Sequence, residues 1–177
     1  MKDTHPGKAL KFCPFCGSKP FVWDNKKAHH CIACKRRLYT NAAGAVVALI
    51  ENQQHEILFT LRKFDPAKGK LDLPGGFIDL GEKAEDAVVR EVKEELNLEV
   101  NAITFFGTFP NTYTFNHYTY FTIDMVFRCS ILNVKQIQAN DDVADFRFVH
   151  PKHVNLDDIG LDSIKHLVGL LQQQQDY

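Results

Sequence analysis

No stretch of this chain is long and apolar enough to span a bilayer. The best candidate, Ala42–Ile50, runs nine residues, where a spanning helix needs roughly twenty. The opening residues, Met1–Leu10, lack both an apolar core and a small-residue cleavage site, so no secretory leader and no membrane partner are expected, and the expected location is cytoplasmic. Internal repeats are absent, and neither sign of charge dominates, with 21 Lys and Arg against 22 Asp and Glu. Cysteine is scarce as well: five residues, which in a chain without an export signal are not expected to pair as disulfides. What is present is the ordinary balance of a globular protein, 45% apolar and 24% charged over 177 residues, enough for one enzyme-sized domain and a small appendage.

The balanced net charge of −1 hides an asymmetry. Residues 1–38 hold nine Lys or Arg against Asp3 and Asp24, a formal +7, which leaves −8 on the remainder. Two units with different jobs would produce this split, and so would plain solubility. Four of the five cysteines lie in the basic part, as Cys13-Pro-Phe-Cys16 and Cys31-Ile-Ala-Cys34. Two Cys-x-x-Cys pairs can give four thiolates to one tetrahedral ion, and a closed tetrathiolate is what structural Zn²⁺ prefers. A segment this short buries too little to fold alone, so the metal would supply the missing stability. A redox dithiol would call for one reactive pair, not two matched ones. Gly17 follows Cys16 where the chain must turn sharply, His29 and His30 are expected to face solvent, and the solitary Cys129 reads as a small core residue. The module resembles a zinc ribbon, a fold used for nucleic-acid or protein contacts. Four thiolates on Zn²⁺ bring −2, so it stays basic at +5 and could hold a polyphosphate-bearing partner. The expected division is residues 1–38 as the ribbon and 39–177 as the larger domain.

From Thr40 onward the character changes. Ala42–Glu51 and Glu56–Leu61 read as strands, followed by a loop at Asp65–Lys70 and the tight segment Leu73-Pro74-Gly75-Gly76-Phe77. Helical periodicity covers Lys83–Leu96 and Leu161–Gln173, with strand-like runs at Glu99–Thr108, Thr119–Ser130 and Ala144–His150 between them. A mixed sheet with helices on its faces follows from that order.

The helix at 83–96 is the most informative element. At about 100° per residue Ala84, Val88, Val92 and Leu96 form one stripe. Glu91 and Glu95 border it and Glu94 sits one step further round, while Lys83, Asp86 and Lys93 lie opposite. Three Glu at i, i+3 and i+4 repel one another, and no run of Lys matches them. Hard divalent cations such as Mg²⁺ bind oxygen clusters of this kind.

The spacing resembles the signature of the Nudix family: Gly76, five residues, Glu82, seven residues, Arg90-Glu91, apolar Val92, one residue, Glu94-Glu95, one residue, Asn97, apolar Leu98. Asn97 stands where the family has Gly, at a helix end where Asn is the next-best left-handed cap. The resemblance implies an α/β/α sandwich around a mixed sheet, preceded here by the small zinc ribbon. It implies Mg²⁺ or Mn²⁺ held by Glu91, Glu94 and Glu95 with the Gly75 carbonyl, Glu82 and Arg90 in support, and hydrolysis of a phosphoanhydride in a nucleotide-like small molecule. Asp142, in the acidic loop Asn140–Asp145, matches a loop carboxylate that several relatives aim at the metals. Arg62 and Lys63, just before the Gly-rich segment, could clamp phosphates or simply end a solvated strand.

A ribbon before such a domain, with the loop Phe77-Ile78-Asp79, is similar to the NADH pyrophosphatases. Their Ser-Gln-Pro-Trp segment is here Gly107-Thr108-Phe109-Pro110-Asn111. The expected substrate is a nucleoside diphosphate joined to a second group, such as NADH, ADP-ribose or a dinucleotide. The alternatives are a nucleoside triphosphate pyrophosphohydrolase that sanitises nucleotide pools and a non-catalytic nucleotide sensor gripping nucleic acid through the basic ribbon. Tyr113, Phe115, Tyr118 and Tyr120 could stack a base, pack the sheet, or line a homodimer interface.

Overall fold

The computed structural model describes residues 2–173, which divide into two compact units. One is residues 2–43 with Thr112–Phe121; the other is Gly44–Asn111 with residues 122–173. No helix among the described residues is long and apolar enough to cross a membrane.

In the first unit a single turn, α1 (Pro6–Ala9), precedes a three-stranded antiparallel sheet of β1 (Phe21–Trp23), β2 (Ala28–Cys31) and β3 (Arg37–Tyr39), in that order. His5 Nδ1 accepts the Gly7 N–H at the start of α1. Gly17 has φ +72°, the sharp reversal expected behind Cys16. The small core is Cys13, Phe21 and Cys31, with Leu10 and Leu38 against it. The expectation that His29 faces solvent is not met. Strand alternation puts His29 on the same side as Cys31, and it is fully buried, stacked on Phe21 at 4.8 Å and tilted against Trp23 at 4.9 Å. His30, one residue on, is half-buried. Residues 112–121 form a hairpin tip around Asn116-His117, both at positive φ, the handedness that suits a two-residue loop. Its rings pack on one another: Tyr113 stacks on Tyr120 at 5.4 Å, and Tyr118 meets Tyr120 edge-on.

The remaining elements are β4 (Ala43–Ile50), β5 (Ile57–Arg62), β6 (Leu71–Asp72), β7 (Gly75–Phe77), α2 (Ala84–Leu96), β8 (Val100–Phe115), β9 (Tyr118–Ile131), β10 (Val143–Val149) and α3 (Asp162–Gln173). One sheet runs β7-β4-β9-β8 and another β10-β5-β6. The ladders of β5 with β6 and β10, and of β4 with β7, are antiparallel, and a parallel bridge joins Leu71 to Ile159. Strand β8 runs on past the expected Glu99–Thr108, with Pro110 and Asn111 still extended beside β9.

Alternation along β4 and β5 builds the second unit. Val47, Leu49, Ile57 and Phe59 point into one core with Ile164, Leu167 and Val168 of α3. Their neighbours Val46, Ala48, Ile50 and Leu58 point into another with Ala87, Val88, Val92 and Leu96 of α2. Both sheet faces are therefore covered, one helix to each, which is the α/β/α sandwich. Cys129 is buried in the α2 core. Helix α2 ends at Asn97, whose φ 54°, ψ 30° and N–H donated to the Lys93 carbonyl make the left-handed cap.

Candidate active site

The apolar stripe of α2 decides where its acids go. With Val88, Val92 and Leu96 buried in the core, Glu91 and Glu95 are carried to the edge of the packed face, towards β7. Strand β7 pairs with β4 through Val46↔Gly76 and Val47↔Gly75. A side chain at Gly75 would strike backbone, and one at Gly76 would push the Glu91 carboxylate aside. A Cβ on Gly75, at φ +151°, would lie 2.1 Å from the Val46 carbonyl oxygen, and one on Gly76 would lie 2.5 Å from Glu91 Oε1. The Gly76 of the motif is thus the surface against which the Glu91 carboxylate rests.

Arg90 organises the outer part of the cluster. Its Nε and Nη2 donate to the two oxygens of Glu82 at 2.8 and 2.9 Å, a bidentate pair. Nη1 reaches Glu91 Oε1 at 2.8 Å and Glu94 Oε2 at 3.0 Å, and Nη2 also meets the Phe77 carbonyl. Glu82 Oε2 in turn accepts the Asp79 N–H. The guanidinium and that amide hold the Glu82 carboxyl down to about 2.

Glu95 is different. It is 8% exposed, and the one donor to its carboxylate among the described residues is the Gly75 N–H at 3.0 Å. Burial pushes its carboxyl up to about 8, and the charges of Glu91, Asp72 and Asp142 add to the push. Burial also raises Glu91, with Glu94 and Asp141 adding to it against Arg90. One guanidinium thus serves three carboxylates while Glu95 has no cation, so the cluster is short of positive charge. Hard oxygens, partly buried and undercompensated, suit a divalent cation. Each of Glu91, Glu94 and Glu95 gives one oxygen to a protein donor and keeps the other.

The acidic loop before β10 is tied to the end of the same helix. Asn140 and Gln138 donate their N–H groups to the Glu95 and Leu96 carbonyls, and the Lys63 N–H donates to the Asp142 carbonyl. Asp142 is thereby close enough to Glu95 to act on its charge. Lys63 is exposed, its Nζ 3.1 Å from the Asp141 carbonyl. Arg62 is committed inward: Nη1 pairs with Asp72 Oδ2 at 2.5 Å and Nε donates to the Pro66 carbonyl at 2.6 Å. Asp72 itself escaped the sequence reading. A lone acid between Leu71 and Leu73 is the signal that could have marked it, since an ionised residue in a buried strand needs a partner.

In the first unit the four cysteine Sγ atoms lie within 4.8 Å of one another. Cys13 and Cys34 are 3.7 Å apart, Cys16 and Cys31 3.6 Å. A tetrahedral ion with Zn–S bonds of about 2.3 Å sets sulfur edges of about 3.8 Å, so the quartet fits one. The sulfurs also sit beside the Ser18 hydroxyl.

The family model of the NUDIX domain matches residues 41–167. The NAD-capped RNA hydrolase NudC of Vibrio vulnificus is 32% identical over 106 residues, covering 60% of this chain and 40% of that protein. The ADP-ribose pyrophosphatase of Methanocaldococcus jannaschii is 37% identical over 116 residues, covering 64% and 65%. The chain therefore spans less than two thirds of the length of either relative. Among solved structures, a NUDIX hydrolase from Nitrosomonas europaea superposes with a TM-score of 0.68 at 22% identity, covering 93% of this chain and 92% of that one, which is a likeness of fold.

Proposed function

This chain belongs to the Nudix family, and from that premise we propose that it hydrolyses, with a divalent cation, the phosphoanhydride of a nucleoside diphosphate joined to a second group. The observation that carries the reading is the Glu95 carboxylate, buried among acids with only a backbone N–H as partner. The substrate class is supported by the two relatives, one acting on NAD-capped RNA and one on ADP-ribose. The retained acid set favours an enzyme over a sensor.

In this proposal Glu91, Glu94 and Glu95, with the Gly75 carbonyl, hold Mg²⁺ or Mn²⁺ through the oxygens that Arg90 and the Gly75 N–H leave open. The bound cation supplies neutralisation of the pyrophosphate and activation of a water. Glu82 and Arg90 are positioning residues: the bidentate pair fixes the guanidinium, which fixes Glu91 and Glu94. Asp142, anchored beside Glu95, adds negative charge from the loop. Lys63, just after β5, is assigned to the phosphates, supported by its exposed ammonium against the Asp141 carbonyl of that loop. Arg62, bound to Asp72 and Pro66, is assigned to holding the segment that leads into Gly75. The tyrosines of the hairpin tip pack against one another. Cys13, Cys16, Cys31 and Cys34 are proposed to hold one structural Zn²⁺, supported by their spacing.

The test is a comparison of kcat/KM for NADH, ADP-ribose, dinucleoside polyphosphates and nucleoside triphosphates under Mg²⁺, with the products identified. Two mononucleotide halves from NADH, or AMP and ribose phosphate from ADP-ribose, are expected. Preference for triphosphates with release of pyrophosphate would replace this reading with the pool-sanitising one.

A further inference from the structure

The first unit presents more apolar surface and more positive charge than its own packing uses. Its core needs only Cys13, Phe21 and Cys31, with Leu10, Cys34 and Leu38 against them. Yet Phe12, beside the first Cys pair, is 58% exposed, Phe15, inside that pair, 46%, and Ile32, inside the second, 48%. Cys13 and Cys31 are 1% exposed, so these side chains are not left out for want of sulfur to cover. The sulfur quartet draws the two pairs together, and each of the three side chains is one residue from one of its cysteines. Exposed rings gathered in this way mark a surface that is covered by something else.

The charges around the quartet say by what. Lys19 Nζ stands 4.3 Å from the centre of the Phe12 ring, and the Arg36 guanidinium 5.2 Å from that of Phe15. Of the two acids in residues 1–38, Asp3 is paired with Lys8, and Asp24 accepts the N–H groups of Lys26, Lys27 and Ala28. Lys8–Asp3 is the single ion pair of this unit among the described residues; Lys11 and Arg37 also feel Asp3 and Asp24, while Lys19, Lys35 and Arg36 have no ion-pair partner among the described residues. The hairpin tip that completes the unit, residues 112–121, adds no Lys, Arg, Asp or Glu. A divalent ion on four thiolates still leaves a formal +5.

We infer that the surface around the cysteine quartet of the first unit binds single-stranded nucleic acid, with unpaired bases stacked on Phe12 and Phe15 and the phosphates between them met by Lys19 and Arg36. Flat exposed rings interleaved with cations are the usual means of holding a polynucleotide without reading its sequence. A duplex keeps its base faces stacked on one another and would use only the charge. An acidic peptide likewise would answer the charge and leave the rings idle. The inference goes beyond the hydrolase reading and does not depend on it.

The experiment is fluorescence anisotropy on the full chain, loaded with the metal of its cysteine quartet. The probes are a labelled single-stranded RNA, the same sequence as DNA, the corresponding duplex, and a polyglutamate peptide of equal charge. Both single strands are expected to bind more tightly than duplex or peptide. The F12A/F15A variant should lose about tenfold or more in affinity for the single strands. The K19Q/R36Q variant, which removes two exposed cations and leaves the buried core untouched, should weaken binding and flatten its dependence on salt. Metal content and hydrolysis of the free nucleotide substrate should stay at the parent level in both, which separates failure here from failure of the catalytic reading. Unchanged binding by F12A/F15A with its metal retained, equal affinity for polyglutamate, or no binding even at low salt would each overturn the inference.

Discussion

Four thiols in the first unit already stand at the spacing a tetrahedral ion sets, the closest pairs 3.6 and 3.7 Å apart. The three helix carboxylates of the second unit are instead tied, one oxygen each, to Arg90 or to the Gly75 N–H. The quartet is closed: its four ligands would satisfy a soft, four-coordinate ion with no place for substrate. The carboxylates are open, with free oxygens and too little positive charge, which suits a hard cation that shares its coordination with phosphate and water. One arrangement is fitted to holding a fold together, the other to chemistry, and the difference lies in ligand type and in how many ligands are already answered within the protein.

Removing one charge from the open site should break it most severely. In E95Q the amide oxygen can still accept the Gly75 N–H, so the shape survives while the cation loses a ligand. Turnover should fall by orders of magnitude. Because burial already holds the Glu95 carboxyl up to about 8, the metal-free fold already favours an uncharged side chain here, and its melting temperature should stay close to the parent's. Steady-state kinetics and a thermal melt check both halves; full turnover in this variant would remove the site from the mechanism.

A smaller effect is expected where the carboxylates are only positioned. R90K keeps a positive charge but not the planar fork that grips both Glu82 oxygens. Turnover should drop about 10- to 100-fold, the range for losing a group that orients metal ligands, with the apparent Mg²⁺ affinity falling alongside. A rise in KM for the nucleotide alone would reassign Arg90 to substrate binding.

The smallest effect belongs to the loop. Asp142 acts on Glu95 only through space, so D142N should raise the Mg²⁺ requirement a few-fold and barely change turnover at saturating metal. Unaltered metal dependence would return Asp142 to the status of a solvated turn.

Much of this was legible in the chain itself, because it rests on local periodicity. The alternation of β4 and β5, the apolar stripe of α2 and the fixed spacing of Glu82, Arg90, Glu91, Glu94 and Glu95 all operate within a few residues. The left-handed cap at Asn97 is of the same kind. What stayed hidden depends on distant partners. His29 is buried because Phe21 and Trp23 on the neighbouring strand close over it. Arg62 looked available for phosphate until Asp72, ten residues away on β6, claimed it. Residues 112–121 read as part of the larger domain, yet group with the N-terminal unit, where the Thr119 N–H donates to the Thr4 carbonyl.

The contrast between a closed sulfur site and an open oxygen site is tested most directly by following two metals at once. The purified chain is treated with a mild chelator that strips weakly held ions, its zinc content is measured, and hydrolysis of ADP-ribose is assayed before and after Mg²⁺ is restored. One zinc per chain should remain throughout, turnover should vanish on stripping, and Mg²⁺ alone should bring it back. Turnover that persists without Mg²⁺, or that is lost and regained in step with zinc, would contradict the account.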